Sequence, residues 1–180
     1  MKQILIFSFF IISSAFHGQD LKFEETIIVD SIASKSELFN RARSWVSQNF
    51  HDNNNKITVE DSNVGEISGV GLYDYRATKN YLGFSCVEGP LTYMFSIFLK
   101  DGKYKYVFHS FIHNGSGGPG CRRIDYGNLT LSEKAPAKGK MIADDYAWWD
   151  IKEKIKAKIQ ELASQLKIAM AKKHETSNNW

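Results

Sequence analysis

Hydrophobic residues make up 43% of this 180-residue chain and charged residues 24%, ordinary globular values that exclude a globally disordered protein. The formal net charge is +3, and it falls to +2 without residues 1–18, where Lys2 is the only charged residue. So small a positive charge argues against nucleic acid as a partner.

The first 18 residues have the layout of a secretory signal peptide. Lys2 precedes a short apolar run over 4–16, and small residues including Ala15 and Gly18 mark the cleavage region. The run is shorter than the ~20 apolar residues that a membrane-spanning helix needs. Cleavage after Ala15 and cleavage after Gly18 both fit. We therefore predict an exported protein, periplasmic or secreted, whose mature chain has no transmembrane segment.

The mature chain begins with a predicted strand and a predicted helix. Apolar and polar residues alternate over 23–30, as in a strand with one buried face. Ser34 and Glu37 then have capping-box spacing, in which the serine hydroxyl accepts from the Glu37 amide and the Glu37 carboxylate reaches back. The helix that follows has an amphipathic pattern. Its apolar stripe consists of Phe39, Ala42, Val46 and Phe50.

Two more strands are predicted over 57–60 and 66–75. Gly69 and Gly71 in the second strand raise the question of a phosphate-binding loop. The dinucleotide pattern would need a further glycine at position 74, where Asp74 stands, and a helix should follow. Glycines that bend the strand or allow a bulge are the better interpretation.

Residues 91–113 predict a long antiparallel hairpin closed by Asp101-Gly102, a pair that suits a type I′ turn. Side chains alternate along each strand, so one face of this hairpin is almost wholly aliphatic or aromatic and must be covered. The pairs expected on that face are Leu91–Ile112, Phe95–Phe108, Ile97–Tyr106 and Leu99–Tyr104.

The second face of the hairpin is mixed in character. The pairs expected there are Thr92–Phe111, Met94–His109, Ser96–Val107 and Phe98–Lys105. Contiguous exposed apolar area commonly marks an interaction site. The candidate interaction face therefore comprises Met94, Phe98, Val107, His109 and Phe111. Two alternatives are that residues 114–144 fold over this face, or that its polar neighbours dilute the apolar groups.

The last part of the chain predicts a short edge strand within 124–131 and then a long amphipathic helix from Asp144 or Asp145. Apolar residues recur in this helix at intervals of three and four over about six turns. They are Trp148, Ile151, Ile155, Ile159, Leu162, Leu166 and Met170. Residues 173–180 form a polar tail that we expect to be flexible.

The two cysteines, Cys86 and Cys121, are the strongest local chemical signal. In the hairpin register Cys86 projects across to about residue 117, close to Cys121, and cysteines of exported proteins usually pair. A disulfide is therefore expected, with two free thiols as the alternative. The spacing is not Cys-x-x-Cys, so a redox role is not expected.

No catalytic, cofactor-binding or metal-binding residues are identified. His109 and His113 lie four apart on a predicted strand, ~13 Å from each other, too far to ligate one metal ion. Ser110 is expected on the face opposite to His109, which gives no serine–histidine pair. We therefore expect no enzyme, cofactor or metal, although distant residues could still assemble a site.

Three stretches resemble a family of exported Bacteroidota proteins, a domain of unknown function with a TATA-binding-protein-like fold. They are SKSELFNRARSWVSQNF (34–50), VEDSNVGEISGVG (59–71) and FLKDGKYKYVF (98–108). The first contains four residues that fit the family's pattern: Leu38, Ala42, Trp45 and Phe50. The resemblance implies a twisted antiparallel sheet with both helices on one face, and it implies no activity. The DNA binding of the fold's namesake is not transferred, since fold alone is a weak guide to function.

The sequence thus predicts an α+β protein in β-α-β-β-β-β-α order, with a single domain over 19–172. The expected function is that of an exported, non-catalytic binding or accessory module for an unknown protein or envelope component. The alternative is a carrier that holds a hydrophobic ligand between the curved sheet and the C-terminal helix.

Overall fold

The computed structural model describes residues 18–29, 33–51, 55–118, 120–136 and 144–172. The predicted signal peptide, apart from Gly18, and the predicted tail over 173–180 lie outside these residues. The helices and strands, in chain order, are β1 (Phe23–Ile28), α1 (Lys35–Asn49), β2 (Lys56–Asp61), β3 (Glu66–Tyr75), α2 (Phe84–Val87), β4 (Gly89–Lys100), β5 (Lys103–His113), β6 (Gly127–Asn128) and α3 (Asp144–Ala171).

The strands form one antiparallel sheet in the order β1-β5-β4-β3-β2, and β6 pairs with β5. This arrangement confirms the predicted α+β class and the β-α-β-β-β-β-α order. The structure adds the one-turn helix α2, and β6 falls within the range predicted for an edge strand.

Helix α1 begins as its sequence indicates. Ser34 is the N-cap, and its hydroxyl oxygen accepts a hydrogen bond from the Glu37 amide at 3.2 Å. The Glu37 carboxylate does not complete the capping box and pairs instead with Arg41 one turn later. Arg41 is itself buried, and its guanidinium donates to the carbonyl of Met170 in α3. This contact ties the first helix to the end of the last one.

Both long helices cover the same face of the sheet, which we call the inner face. The whole predicted apolar stripe of α3 is buried in one cluster with the stripe of α1 and the aromatic residues of β4 and β5. For example, Phe50 stacks on Phe95 with ring centroids 4.1 Å apart. Each large apolar side chain buried in this way stabilises the fold by about 1.5–3 kcal/mol. None of the described helices is both long enough and apolar enough to cross a membrane.

The central hairpin follows the predicted register only near its turn. Lys100 lies opposite Lys103, and the pairs continue as expected as far as Met94 and His109. The turn is not type I′, because Gly102 has a positive φ of 69° and Asp101 does not. Asp101 instead accepts a hydrogen bond from the backbone amide of Lys35 at the start of α1.

Beyond His109 the register shifts through a β-bulge. Ser110 has a φ of 54°, a left-handed conformation that non-glycine residues rarely adopt, and the pairing then resumes with Thr92 opposite Ile112 and Leu91 opposite His113. The predicted Leu91–Ile112 and Thr92–Phe111 pairs are therefore wrong. Because side chains alternate with a period of two, one inserted residue exchanges the faces of every residue that follows.

The sulfur atoms of Cys86 and Cys121 are bonded, which links α2 to the loop after β5.

His113, at the end of β5, is fully buried. Its Nε2 donates to the carbonyl of Val87 at 2.8 Å, and its Nδ1 accepts from the amide of Tyr126 at 3.3 Å. These contacts require the neutral imidazole, and burial accordingly lowers the pKa of His113.

Candidate functional site

The outer face of the sheet is covered by none of the described helices, and we call the outward-facing residues of β1–β5 the open face. Met94, Phe98 and Ile112 lie on it with 41%, 39% and 42% of their surface exposed. The alternative that residues 114–144 fold over this face is not supported by the described part of that segment, residues 114–118 and 120–136. Ile124, Tyr126 and Leu129 are instead buried in the cluster under the helices.

Residues of the open face form rows across the five strands, because the registers of neighbouring pairs align. The Phe98 row runs Thr26, Lys105, Phe98, Glu66 and Asp61 from β1 to β2. The Ser96 row runs Glu24, Val107, Ser96, Ser68 and Val59. The Met94 row runs His109, Met94, Val70 and Lys56. The Thr92 row runs Ile112, Thr92 and Leu72.

Four of the five residues predicted for the interaction face point to it: Met94, Phe98, Val107 and His109. Val107 is nevertheless buried, with only 8% of its surface exposed. Phe111 does not point to this face. The bulge at Ser110 turns its ring to the inner face, where it is fully buried against Phe23 and Tyr93. The bulge places Ile112 on the open face instead. Phe111 is therefore a core residue, and its assignment to the interaction face was wrong.

The bulge also changes the relation of Ser110 to its neighbour. Ser110 Oγ lies 2.8 Å from His109 Nδ1, so the two side chains meet where the sequence placed them on opposite faces. Both residues line a groove of about 420 Å³, together with Val107 and residues 19–22. Among the described residues no carboxylate hydrogen-bonds to this imidazole to orient it as a general base. The adjacent imidazole of His109 and hydroxyl of Ser110 can both form hydrogen bonds with a polar group in the groove.

A second groove, of about 400 Å³, lies at the turn end of the open face. Its walls include the ring of Phe98 and the side chain of Thr26, with Lys100, Lys103 and Lys105 around them. This end of the face therefore combines an apolar floor with a cluster of positive charge.

Charges of both signs lie on both sides of the open face, with Glu24 and Lys105 on the β1–β5 side and Lys56 and Glu66 on the β2–β3 side. On the β1–β5 side, Glu24 lies 2.8 Å from Lys105 and 2.8 Å from Lys22. Hydrogen bonds from Lys105 and then Lys22 lower the pKa of Glu24 to about 2. On the β3 side, Glu66 accepts from the Ser68 hydroxyl at 2.6 Å but has no ion-pair partner within the described residues. Within the Phe98 row, the face thus presents Lys105, which is paired with Glu24, on one side of β4 and the unpaired carboxylate of Glu66 on the other.

Away from the open face, a buried carboxylate connects α3 to the sheet. Asp150 of α3 is buried, and it accepts from Tyr75 Oη at 2.7 Å and from the Thr78 amide at 3.0 Å. Burial raises the pKa of Asp150, but the hydrogen bonds from the Thr78 hydroxyl, Tyr75 Oη and the Thr78 amide outweigh it, and the net shift is downward. The network holds α3 against the end of β3. No three histidine, cysteine or carboxylate side chains in the described chain are grouped so that they could hold a metal ion.

Sequence reasoning missed part of the open face, namely Val59, Glu66, Val70, Leu72 and Ile112. The alternation along 66–75 could have identified the three residues of β3, because Glu66, Val70 and Leu72 are separated by even intervals. Ile112 had no such signal, since its orientation depends on the bulge.

Comparison with known proteins gives a family and a fold. The family model described as "Domain of unknown function (DUF4468) with TBP-like fold" matches residues 23–114. The structure is similar to that of a TBP-like protein from Parabacteroides distasonis, with a TM-score of 0.60 and 11% identity over 82% of this chain and 93% of that one. It is also similar to a DUF4468 family protein from Bacteroides ovatus, with a TM-score of 0.59 and 12% identity over 82% and 86%. No curated protein matches the chain.

Proposed function

Because this chain belongs to the DUF4468 family, a domain of unknown function with a TBP-like fold, we propose its role from its geometry: it is an exported, non-catalytic binding module whose open face contacts a protein partner. The observation that carries this proposal is the exposure of Met94, Phe98 and Ile112 on one continuous sheet surface. Apolar groups gathered on one face, with charged residues around them, are typical of interaction sites.

Two further observations support parts of this proposal. The Cys86–Cys121 disulfide is typical of proteins in oxidising compartments, which is consistent with the export that residues 1–18 predict. The hydrogen-bonded networks around Asp150 and His113 connect the helices and loops to the sheet, so they have a structural explanation that needs no catalysis.

Site-specific photo-crosslinking in cells that produce the protein tests the proposal. A photoreactive residue at Met94 should form covalent adducts with a protein. One at Ile168 should not, although Ile168 is 59% exposed on α3, on the opposite side of the molecule. Adding Ile112→Lys should abolish the adducts at position 94, while circular dichroism and thermal unfolding stay unchanged. Equal adduct formation from positions 94 and 168 would contradict the proposal.

The alternative, a carrier of a hydrophobic ligand beneath the sheet, stays a prediction. Phe50 stacked on Phe95, and Phe111 packed on Tyr93, occupy the inner face where such a ligand would lie. Native mass spectrometry of the purified protein checks it, because a bound lipid would appear as an added mass that denaturation removes.

A further inference from the structure

We infer that the partner on the open face is a second copy of this chain, related to the first by a two-fold axis parallel to β4. This inference rests on the proposed function, since it takes the open face to be the contact surface. It follows from the way in which charges and apolar side chains are distributed over the rows of that face.

The geometry of such a dimer is defined by the sheet order. A two-fold axis that lies between two facing sheets, along the central strand, sets β4 of one copy against β4 of the other. It also sets β5 of each copy against β3 of its partner, and it keeps every row opposite the same row. The strands of the two sheets then run nearly aligned, which is one of the two common ways in which sheets pack face to face.

This axis brings the divided charges of the Phe98 row together. Lys105 of each copy meets Glu66 of the other, so one dimer contains two such pairs. Glu66, which has no ion-pair partner within the described part of a single chain, would gain one. Opposite charges placed on the two sides of a symmetry axis are the arrangement that a self-complementary interface requires.

The apolar residues near the axis are matched in the same way. Met94 meets Met94 and Phe98 meets Phe98, because residues of the strand on the axis meet their own copies. Five strands spaced ~4.8 Å apart and the eight residue steps from Thr92 to Lys100 along β4 span a face of about 24 by 27 Å. This span includes Lys100, which would meet its own copy at the edge of the interface, where both ammonium groups can reach solvent. Two such faces bury on the order of 1,300 Å², which is at the lower end of specific interfaces. Buried area does not set affinity, but so small an interface favours a weak dimer.

The other two-fold axis in the plane of the sheet, perpendicular to the strands, fits less well. It would set each strand against its own copy in reverse, so that the Phe98 row meets the Thr92 row. Lys105 would then face Ile112, and Glu66 would face Leu72. Burying an unpaired charge against apolar side chains is destabilising, because no ion pair offsets the lost hydration.

Charge reversal tests the pairing by sedimentation equilibrium at about 1–200 µM protein, a range that suits a weak dimer. We expect a concentration-dependent dimer. Glu66→Lys and Lys105→Glu should each raise its dissociation constant about tenfold or more, because two attractive contacts become repulsive. The double variant should restore most of the affinity. Glu161→Lys, an equal charge change on the exposed face of α3, should have no effect. Weakening by both single variants without restoration in the double variant would overturn the pairing.

Cysteine crosslinking tests the axis itself. Ser96→Cys lies on β4 and would face its own copy across sheets ~10 Å apart, too far for a direct disulfide. A short bismaleimide linker bridges that gap and should give a covalent dimer on a denaturing gel. Val70→Cys, one strand away on β3, is displaced ~10 Å sideways from its copy in addition to the ~10 Å between the sheets, so the same linker should join it far less. Equal crosslinking of the two variants would overturn the proposed axis.

The outcomes separate this inference from the proposed function. A chain that is monomeric at 200 µM but still forms adducts with another protein from position 94 would reject self-association and keep the binding role. A monomer that forms no adducts from position 94 would reject both.

Discussion

Two adjacent residues, Phe111 and Ile112, offer the sharpest test of the structure, because the bulge at Ser110 gives them opposite environments. Phe111 is fully buried, with ring centroids 5.6 Å from Phe23 and 5.8 Å from Tyr93. Replacing a buried phenylalanine by alanine costs about 3–5 kcal/mol, through lost transfer energy and the cavity left behind. Ile112 is 42% exposed on the open face, so Ile112→Ala should cost less than about 1 kcal/mol.

Urea unfolding followed by tryptophan fluorescence measures both free energies. Since domains of this size are stable by about 5–15 kcal/mol, Phe111→Ala should remove a large share of the total. Its melting temperature should fall by about 10 °C or more, whereas that of Ile112→Ala should change by only a few degrees. The m-value should be unchanged in both variants, because the surface exposed on unfolding stays nearly the same.

A regular hairpin without the bulge predicts the opposite result. In that register Ile112 faces the helices and Phe111 faces outward, so Ile112→Ala would be the more costly substitution. Equal costs, or a larger cost at position 112, would refute the register described above and with it the composition of the open face.

Three further predictions follow from buried groups. Burial lowers the pKa of His113 below its usual 6.5, so the unfolded chain binds a proton that the folded chain excludes. Stability should therefore fall as the pH drops below about 6.5, by at most about 1.4 kcal/mol per pH unit. Urea midpoints between pH 7 and 5.5 should depend less on pH in His113→Gln. An equal pH dependence in both proteins would contradict this. In Gly71→Ala the added Cβ would lie 2.4 Å from the ring of buried Tyr93. Thermal unfolding should therefore show that the protein loses about 1–3 kcal/mol of stability. An unchanged melting temperature would contradict that close approach. The disulfide closes a loop between residues 35 apart in sequence, so replacing Cys86 and Cys121 by alanine should lower the urea-derived stability by about 4 kcal/mol; a loss below 1 kcal/mol would show that the loop is already constrained in the unfolded chain.

The helices of this protein could be read from its sequence because their signals are local. Every residue of the stripe predicted from Trp148 to Met170 is buried, and Ser34 caps α1 as its spacing indicated. The hairpin register near Asp101-Gly102 was equally accessible, since a two-residue turn determines which residues pair beside it.

The bulge could not be read in this way. Phe111, Ile112 and His113 all fit either face of a strand, so the alternation of the sequence does not choose between the two registers. Ser110 adopts a positive φ although it is not a glycine, so the sequence carries no local signal for this conformation. The choice depends on contacts distant in sequence: Phe111 fills the space beside Phe23, and His113 bonds to Val87 and Tyr126.

The sequence alone determined the order of the elements, the faces that the two long helices bury and the residues that pair beside the hairpin turn, because periodicity, caps and tight turns act over a few residues. Only the tertiary structure decided which side chains reach the open face beyond His109, and that Glu66 and Lys105 lie in one row on either side of β4. The pairing of β3 with β4 spans the loop that contains α2, and no local signal sets its register. It is decided instead by the packing of both strands against the common core.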